Sequence, residues 1–357
     1  MKNKNEEDIA RSQSNPLQHN VPLAPMPKTM QAMVMEIAGQ PLVRKTMPLP
    51  VANEEKLLIK IIACGVCRTD LHIMDSELAN PKLPLIPGHE IIGTVEKAGR
   101  KVTTFKPGDL VGVPWLGYTC GYCKYCLKDQ ENLCENALFT GYTIDGGYAE
   151  YTVAFQKYCF HLGPQYGHPS SAPLLCAGLI GYRSYQMIGP EAKHIGFYGF
   201  GVAAHILVQI AKHEGKEIYA FTRDGDLEAQ SFATRTGAVW AGNSTDPPPV
   251  LLEGAIIFAP VGQLVPKALK DIDKGCAVIC GGIHMSDIPS FAYQLLWEER
   301  TIRSVANLTR KDGDDFFELA DKIKIKIETR LFPLQQANEA LAAVRNGDIN
   351  GAAVLVM

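Results

Sequence analysis

Residues 194–222 read HIGFYGFGVAAHILVQIAKHEGKEIYAFT, and the order of patterns in this stretch sets the fold. IGFYGFG is a compact apolar run ending in glycines. VAAHILVQIAKHEG places Ile206, Ile210 and their neighbours at helical spacing with Gly215 as a stop, and EIYAFT is a second apolar run. Strand, helix, strand is one crossover unit, and it recurs in kind downstream as DLEAQSFATRTG, GAIIFAP, LVPKALKDIDKG and AVICGG. Strands alternating with helices predict a doubly wound parallel sheet covered on both faces, hence an α/β protein.

Upstream the pattern changes. From Met30 to about Val153, the runs EKLLIKIIACG, EIIGTVEKAG, LVGVPW and GGYAEYTV are broken by glycine and proline turns, which predicts a barrel-like β unit. A chain of 357 residues has length enough for two cores. The expected division begins with a flexible leader over residues 1–27, polar and then proline-rich, with little to bury. A β-rich domain follows over 28–177 and the parallel-sheet domain over 178–307. In the last segment, 308–357, FPLQQANEALAAVRNGDINGAAVLVM reads as a helix and a final strand that rejoins the first domain.

Gly199-Phe200-Gly201-Val202-Ala203-Ala204 fits G-x-G-x-x-G/A. Any strand-to-helix turn can carry such a pattern, but here it closes an apolar strand and opens a helix whose free N–H groups suit a pyrophosphate. Gly199 permits the tight turn, Gly201 the close approach of backbone to phosphate, and Ala204 the packing of helix on strand. At the end of the next strand, where the adenosine ribose is read, stand Thr222 and Arg223. Arg223 suits the 2′-phosphate of NADP, while Asp224 beside it leaves NAD open, and all three also read as solvated loop residues.

Cys120, Cys123, Cys126 and Cys134 follow C-x-x-C-x-x-C-x7-C. A disulfide staple and a tetrahedral thiolate site compete for this pattern. A chain able to bury full cores does not need staples, and no apolar run follows the charges of MKNKNEEDIARSQSNPLQHN to mark a secretory leader. The expected compartment is the reducing cytoplasm, where clustered thiols bind metal, so the four sulfurs read as a closed structural zinc shell. A formal net charge of −3 gives no reason to expect nucleic acid or an anionic membrane as partner, and no apolar run approaches the length needed to cross a bilayer.

A second set lies outside that lobe: ACGVCRTDLH (63–72), PGHE (87–90) and LLCAGLIGYRS (174–184). Each alone is as consistent with packing as with ligation. Together they offer two thiolates and an imidazole, a shell that leaves zinc a fourth position for substrate. In this order, with the four-cysteine lobe, GGYAEY and GFG, they resemble the zinc-dependent medium-chain alcohol dehydrogenases from about residue 30 to the end.

The resemblance implies a GroES-like β-barrel catalytic domain joined to a Rossmann domain. It implies Cys67, His89 and Cys176 as catalytic-zinc ligands, Glu90 as an occasional ligand beside them, Asp70 orienting His89, and Cys64 as structural. It gives the proton relay to Thr69 and His72, a pyrophosphate contact to Arg68 and a pocket wall to Trp115. The implied reaction interconverts an alcohol with an aldehyde or ketone, with one catalytic and one structural Zn2+ and NADP, or alternatively NAD, as cofactors. Relatives are dimers or tetramers, so a homo-oligomer is expected. One departure is Gly351-Ala352-Ala353-Val354, where many relatives carry a pyrophosphate-binding arginine in G-R-x-V.

Two other readings compete. A zinc-free quinone-type reductase of the same fold would leave Cys67, His89 and Cys176 incidental. A non-catalytic, zinc-stabilised cofactor sensor would have no use for Thr69 and His72.

Overall fold

The computed structural model describes residues 26–349 and 351–357; the leader expected over 1–27 lies, but for its last two residues, outside the described residues. Six parallel strands form one sheet in the order Trp240–Asn243, Glu217–Thr222, His194–Tyr198, Gly254–Ile257, Ala277–Cys280 and Thr301–Ser304. The first strand in sequence sits between the second and the fourth, so the crossover direction reverses at its carboxyl end and opens a crevice there. Gly199 stands at that point with φ +95°, and a Cβ on it would lie 2.9 Å from the Ala259 amide nitrogen. The helix Val202–His213 starts immediately after, burying Ala204, Ile206, Leu207, Val208 and Ile210.

The second sheet has seven strands. Thr329–Pro333, Ala352–Val356, Lys56–Val66, Glu90–Ala98, Leu110–Val113 and Phe160–His161 run in that order, and Tyr151–Phe155 also pairs with Lys56–Val66. Its centre is fixed by register: Cys64 lies opposite Leu355 on one side and Ile91 on the other, and Gly65 lies opposite Glu90. The final strand is therefore built into the sheet that carries the CGVC and PGHE motifs. One buried cluster joins Ala63, Ile92 and Val354 of this sheet to Phe197, Ile256 and Ile279 of the parallel sheet and to Leu207 of the helix Val202–His213 that covers it.

Two features depart from the sequence expectation. Residues 310–323 form a helix, started by Thr309 and Asp312 in a capping box, that buries Phe316, Phe317 and Ala320. The strands Trp240–Asn243 and Thr301–Ser304 are edge strands without a strong apolar run. Among the described residues, no helix is long and apolar enough to cross a membrane.

Candidate active site

The strand Lys56–Val66 leads into Cys67, which caps the seven-residue helix Arg68–Met74. The Cys67 amide donates to Asp70 Oδ2 at 2.8 Å, so the C-x-x-D spacing closes the first turn and turns Asp70 inward. Asp70 is fully buried. It also accepts from the Tyr148 hydroxyl at 3.1 Å and stands 3.2 Å from His89 Nδ1, a charge contact rather than an aligned hydrogen bond. Cys176 arrives from the other direction, capping the helix Ala177–Gln186, and its Sγ lies 3.8 Å from Cys67 Sγ. Ligand atoms of Cys67, His89, Glu90 and Cys176 lie within 4.8 Å of one another.

This donor set fits a metal ion. Two thiolates bound tetrahedrally at a Zn–S distance near 2.3 Å sit about 3.8 Å apart. His89 Nε2 is buried with no hydrogen-bond partner, an orphan that a metal would satisfy. The titration behaviour points the same way. The hydrogen bond with Cys176, and then His89, holds the Cys67 thiol well below its ordinary range, while that same contact with Cys67, together with burial, drives Cys176 well up. Burial and then the Cys67 charge push Glu90 up. Burial alone would lower His89, but Asp70 and Cys67 raise it well above the usual imidazole range. The pocket thus retains protons against an excess of negative donors, protons that a divalent cation displaces.

Around this set, Thr69 Oγ1 accepts from Cys67 Sγ at 3.7 Å. His72 is buried, pairs through Nδ1 with Glu77, and meets the ring of His284 from the parallel-sheet domain at 5.2 Å. Trp115 stands edge-on to His89 at 5.0 Å, with Phe139 and Tyr142 stacked against it at 5.2 and 5.6 Å. Arg68 projects from the first helical turn, exposed and without a hydrogen-bond or ion-pair partner among the described residues.

The second cysteine set is closed. The sulfurs of Cys120, Cys123, Cys126 and Cys134 lie within 4.8 Å of one another, with Cys134–Cys120 at 3.6 Å and Cys120–Cys126 at 4.0 Å, near the spacing of a tetrahedral four-sulfur shell. Backbone amides, that of Cys126 foremost, lower the Cys123 thiol to about 6, while burial raises Cys134 to about 11.

On the parallel sheet, Gly201 caps the helix Val202–His213 and a Cβ there would meet nothing within 4 Å, leaving room for a ligand over the helix start. Ala204 is fully buried against the sheet. Thr222 is buried, its hydroxyl donating to Arg223 O at 3.2 Å, whereas Arg223 is exposed.

Residues 53–164 match the family model described as the alcohol dehydrogenase GroES-like domain. The chain is 44% identical over 324 residues to a probable alcohol dehydrogenase of Mycobacterium tuberculosis, covering 89% of this chain and 93% of the relative. It is 34% identical to an alcohol dehydrogenase of Geobacillus stearothermophilus over 91% of this chain and 99% of that one. The chain belongs to the zinc-dependent medium-chain alcohol dehydrogenase family. Among solved structures, acetophenone reductase from Geotrichum candidum in complex with NAD superposes with a TM-score of 0.82 at 25% identity, covering 94% of this chain and 99% of that one.

Within this dehydrogenase several residues of the site escape sequence reasoning. Tyr148 lies in the quoted GGYAEY but receives its role only from the contact with Asp70. Gly65 and Gly88 are motif letters with a steric reason: a Cβ on Gly65 would fall 1.7 Å from Glu90 Oε2, and one on Gly88 would fall 2.3 Å from the Tyr148 ring. Glu77, five positions beyond His72, carries no motif. Phe139 and Tyr142 come from the LFTGYT turn, where only the ring stacking reveals them.

Proposed function

We propose that the dehydrogenase oxidises a small or aromatic alcohol, or reduces the matching carbonyl, with a catalytic zinc held by Cys67, His89 and Cys176 and with NADP as the preferred cofactor. The observation that carries this reading is the pair of sulfurs 3.8 Å apart beside the orphaned, buried His89 Nε2. When bound, zinc supplies a Lewis acid that makes the substrate hydroxyl acidic near neutral pH, and the nicotinamide supplies the hydride acceptor.

The chain's own residues do the rest. Asp70 holds the His89 ring by its Nδ1 side, leaving Nε2 for the ligand position. Glu90 keeps a carboxylate in reach of the same centre, as an alternative ligand. Thr69 Oγ1, next to Cys67 Sγ, is placed to take the substrate proton. Glu77 accepts from His72 Nδ1–H, which leaves Nε2 as the basic nitrogen that hands a proton outward. Trp115, backed by Phe139 and Tyr142, supplies an apolar wall that excludes water and suits a flat substrate.

Gly199, Gly201, Ala204 and Arg68 form the pyrophosphate cradle, and the missing arginine at Ala352 puts more of that work on Arg68 and the helix start. Thr222 and Arg223 read the ribose. Cys120, Cys123, Cys126 and Cys134 hold the structural zinc.

A homo-oligomer, dimer or tetramer, is supported by the edge strand Thr301–Ser304, whose outer side pairs with no strand among the described residues, and by the exposed Tyr293 and Trp297 close before it in sequence. Ten free cysteines support a reducing, cytoplasmic location.

Metal analysis tests the central point. Wild type should carry two zincs per chain, and Cys67→Ser should lose one of them together with alcohol oxidation. A Cys67→Ser protein that keeps both metals, or its activity, would overturn the assignment.

A further inference from the structure

The strand Glu217–Thr222 ends in two opposite charges side by side, Arg223 and Asp224, and the fold treats them unequally. Asp224 Oδ1 accepts from Ser244 Oγ at 3.2 Å and Oδ2 accepts from Thr245 Oγ1 at 3.1 Å. Both donors stand in the turn that follows the neighbouring strand Trp240–Asn243, and that turn is fixed to the same strand end. The Ser244 amide donates to Thr222 O at 2.7 Å, the Gly225 amide to Asn243 Oδ1 at 2.9 Å, and the Asn243 amide to Asp246 Oδ2 at 2.9 Å. Both side chains are exposed, but the Arg223 guanidinium has no hydrogen-bond or ion-pair partner among the described residues; only the backbone carbonyl of Arg223 is engaged, by the Thr222 hydroxyl and the Asp226 amide.

A carboxylate free at this point of a dinucleotide fold accepts from the ribose 2′-hydroxyl and repels a 2′-phosphate, whereas an arginine attracts that phosphate. Having both in sequence leaves the outcome to whichever side chain is available. We propose that Ser244 and Thr245 are specificity-positioning residues that occupy both oxygens of Asp224, withdrawing it from the ribose and leaving Arg223 to read a 2′-phosphate. The inference rests on the NADP reading above and deepens it. Ser244 and Thr245 act through Asp224 and touch no nucleotide themselves.

Titration calorimetry on the zinc-loaded enzyme, without substrate or nicotinamide, separates the two claims, with adenosine 2′,5′-bisphosphate and adenosine 5′-monophosphate as probes. Wild type should prefer the bisphosphate; equal binding of the two would sink the NADP reading. In the S244A/T245A double variant the freed carboxylate should tighten 5′-monophosphate binding by about fivefold, the effect of one modest hydrogen bond, and weaken bisphosphate binding comparably. Unchanged 5′-monophosphate affinity would overturn the clamp whatever the wild-type preference. Asp224→Asn supplies the control: adding S244A/T245A to it should change neither affinity, and a shift of the same size there would show that the hydroxyls contact the nucleotide directly, which also overturns the proposal.

Discussion

Asp70 serves three groups at once: the Cys67 amide, the Tyr148 hydroxyl and the His89 imidazole, all without solvent. Such a carboxylate fixes the ring and raises its basicity toward a metal, and removing an outer partner of this kind costs about 10–100-fold in metal affinity. Asp70→Asn keeps the shape and removes the charge. It should release one zinc at a correspondingly lower concentration of a competing chromogenic chelator while the second zinc stays bound; release of both metals at the wild-type concentration would argue against this role. The proposed ligands and Asp70 are legible in sequence only through the ordered motifs of the family resemblance, because Cys67 and Cys176 stand 109 positions apart and of these contacts only that of Cys67 with Asp70 is local. Tyr148 is not, because its contact with Asp70 spans 78 positions and exists only once two strands and a helix have met. The glycines are half legible: the letters of CGVC and PGHE are visible, but the Glu90 carboxylate and Tyr148 ring that exclude a Cβ are not.

The four-cysteine lobe contains only the single-turn helices Cys126–Lys128 and Glu131–Leu133 and owes its attachment to specific bonds. Glu131, buried, accepts from the Arg310 amide at 3.0 Å and from Arg310 Nε at 3.2 Å, and Asn132 Nδ2 donates to Ala306 O at 2.8 Å. The lobe is thereby clipped to the start of the helix Arg310–Ile323. Burial alone would raise the Glu131 carboxyl, but the Arg310 amide and guanidinium bring it below its ordinary 4.5. A depressed carboxyl contributes stability that is complete above about pH 4.5 and is lost as pH falls through the folded value. Glu131→Gln should therefore melt a few degrees below wild type at pH 7, and the gap should close on acidification toward pH 3. Equal melting at pH 7, or a gap that persists at pH 3, would count against the clip. This helix is also where the sequence was least transparent. Gly313 resembles a breaker, yet a Cβ there would lie 2.1 Å from the Phe160 ring, so the glycine is set by packing between elements rather than by local preference. Inner strands such as Gly254–Ile257 are apolar throughout and readable; the edge strand Thr301–Ser304 is mostly exposed and carries no such signal.

At the scale of the molecule, the chain's return to its first sheet makes the two halves share an interior. Ala63, Ile92 and Val354 of the seven-stranded sheet pack in one cluster with Phe197, Leu207 and Ile279 of the parallel sheet and its helix. Domains joined by a thin polar interface unfold separately, whereas a continuous apolar cluster couples them. Ile92 is fully buried in that cluster, and truncating such a side chain to alanine costs about 2–5 kcal/mol through lost burial and a residual cavity. Two tryptophans report the two halves, Trp115 beside His89 and Trp240 on the parallel sheet. In proteins that keep only one or the other, fluorescence melting should give the same midpoint, and Ile92→Ala should lower both by the same amount. If the Trp115 signal moved and the Trp240 signal did not, the sheets would be folding as independent units, and the shared cluster would be contact without coupling.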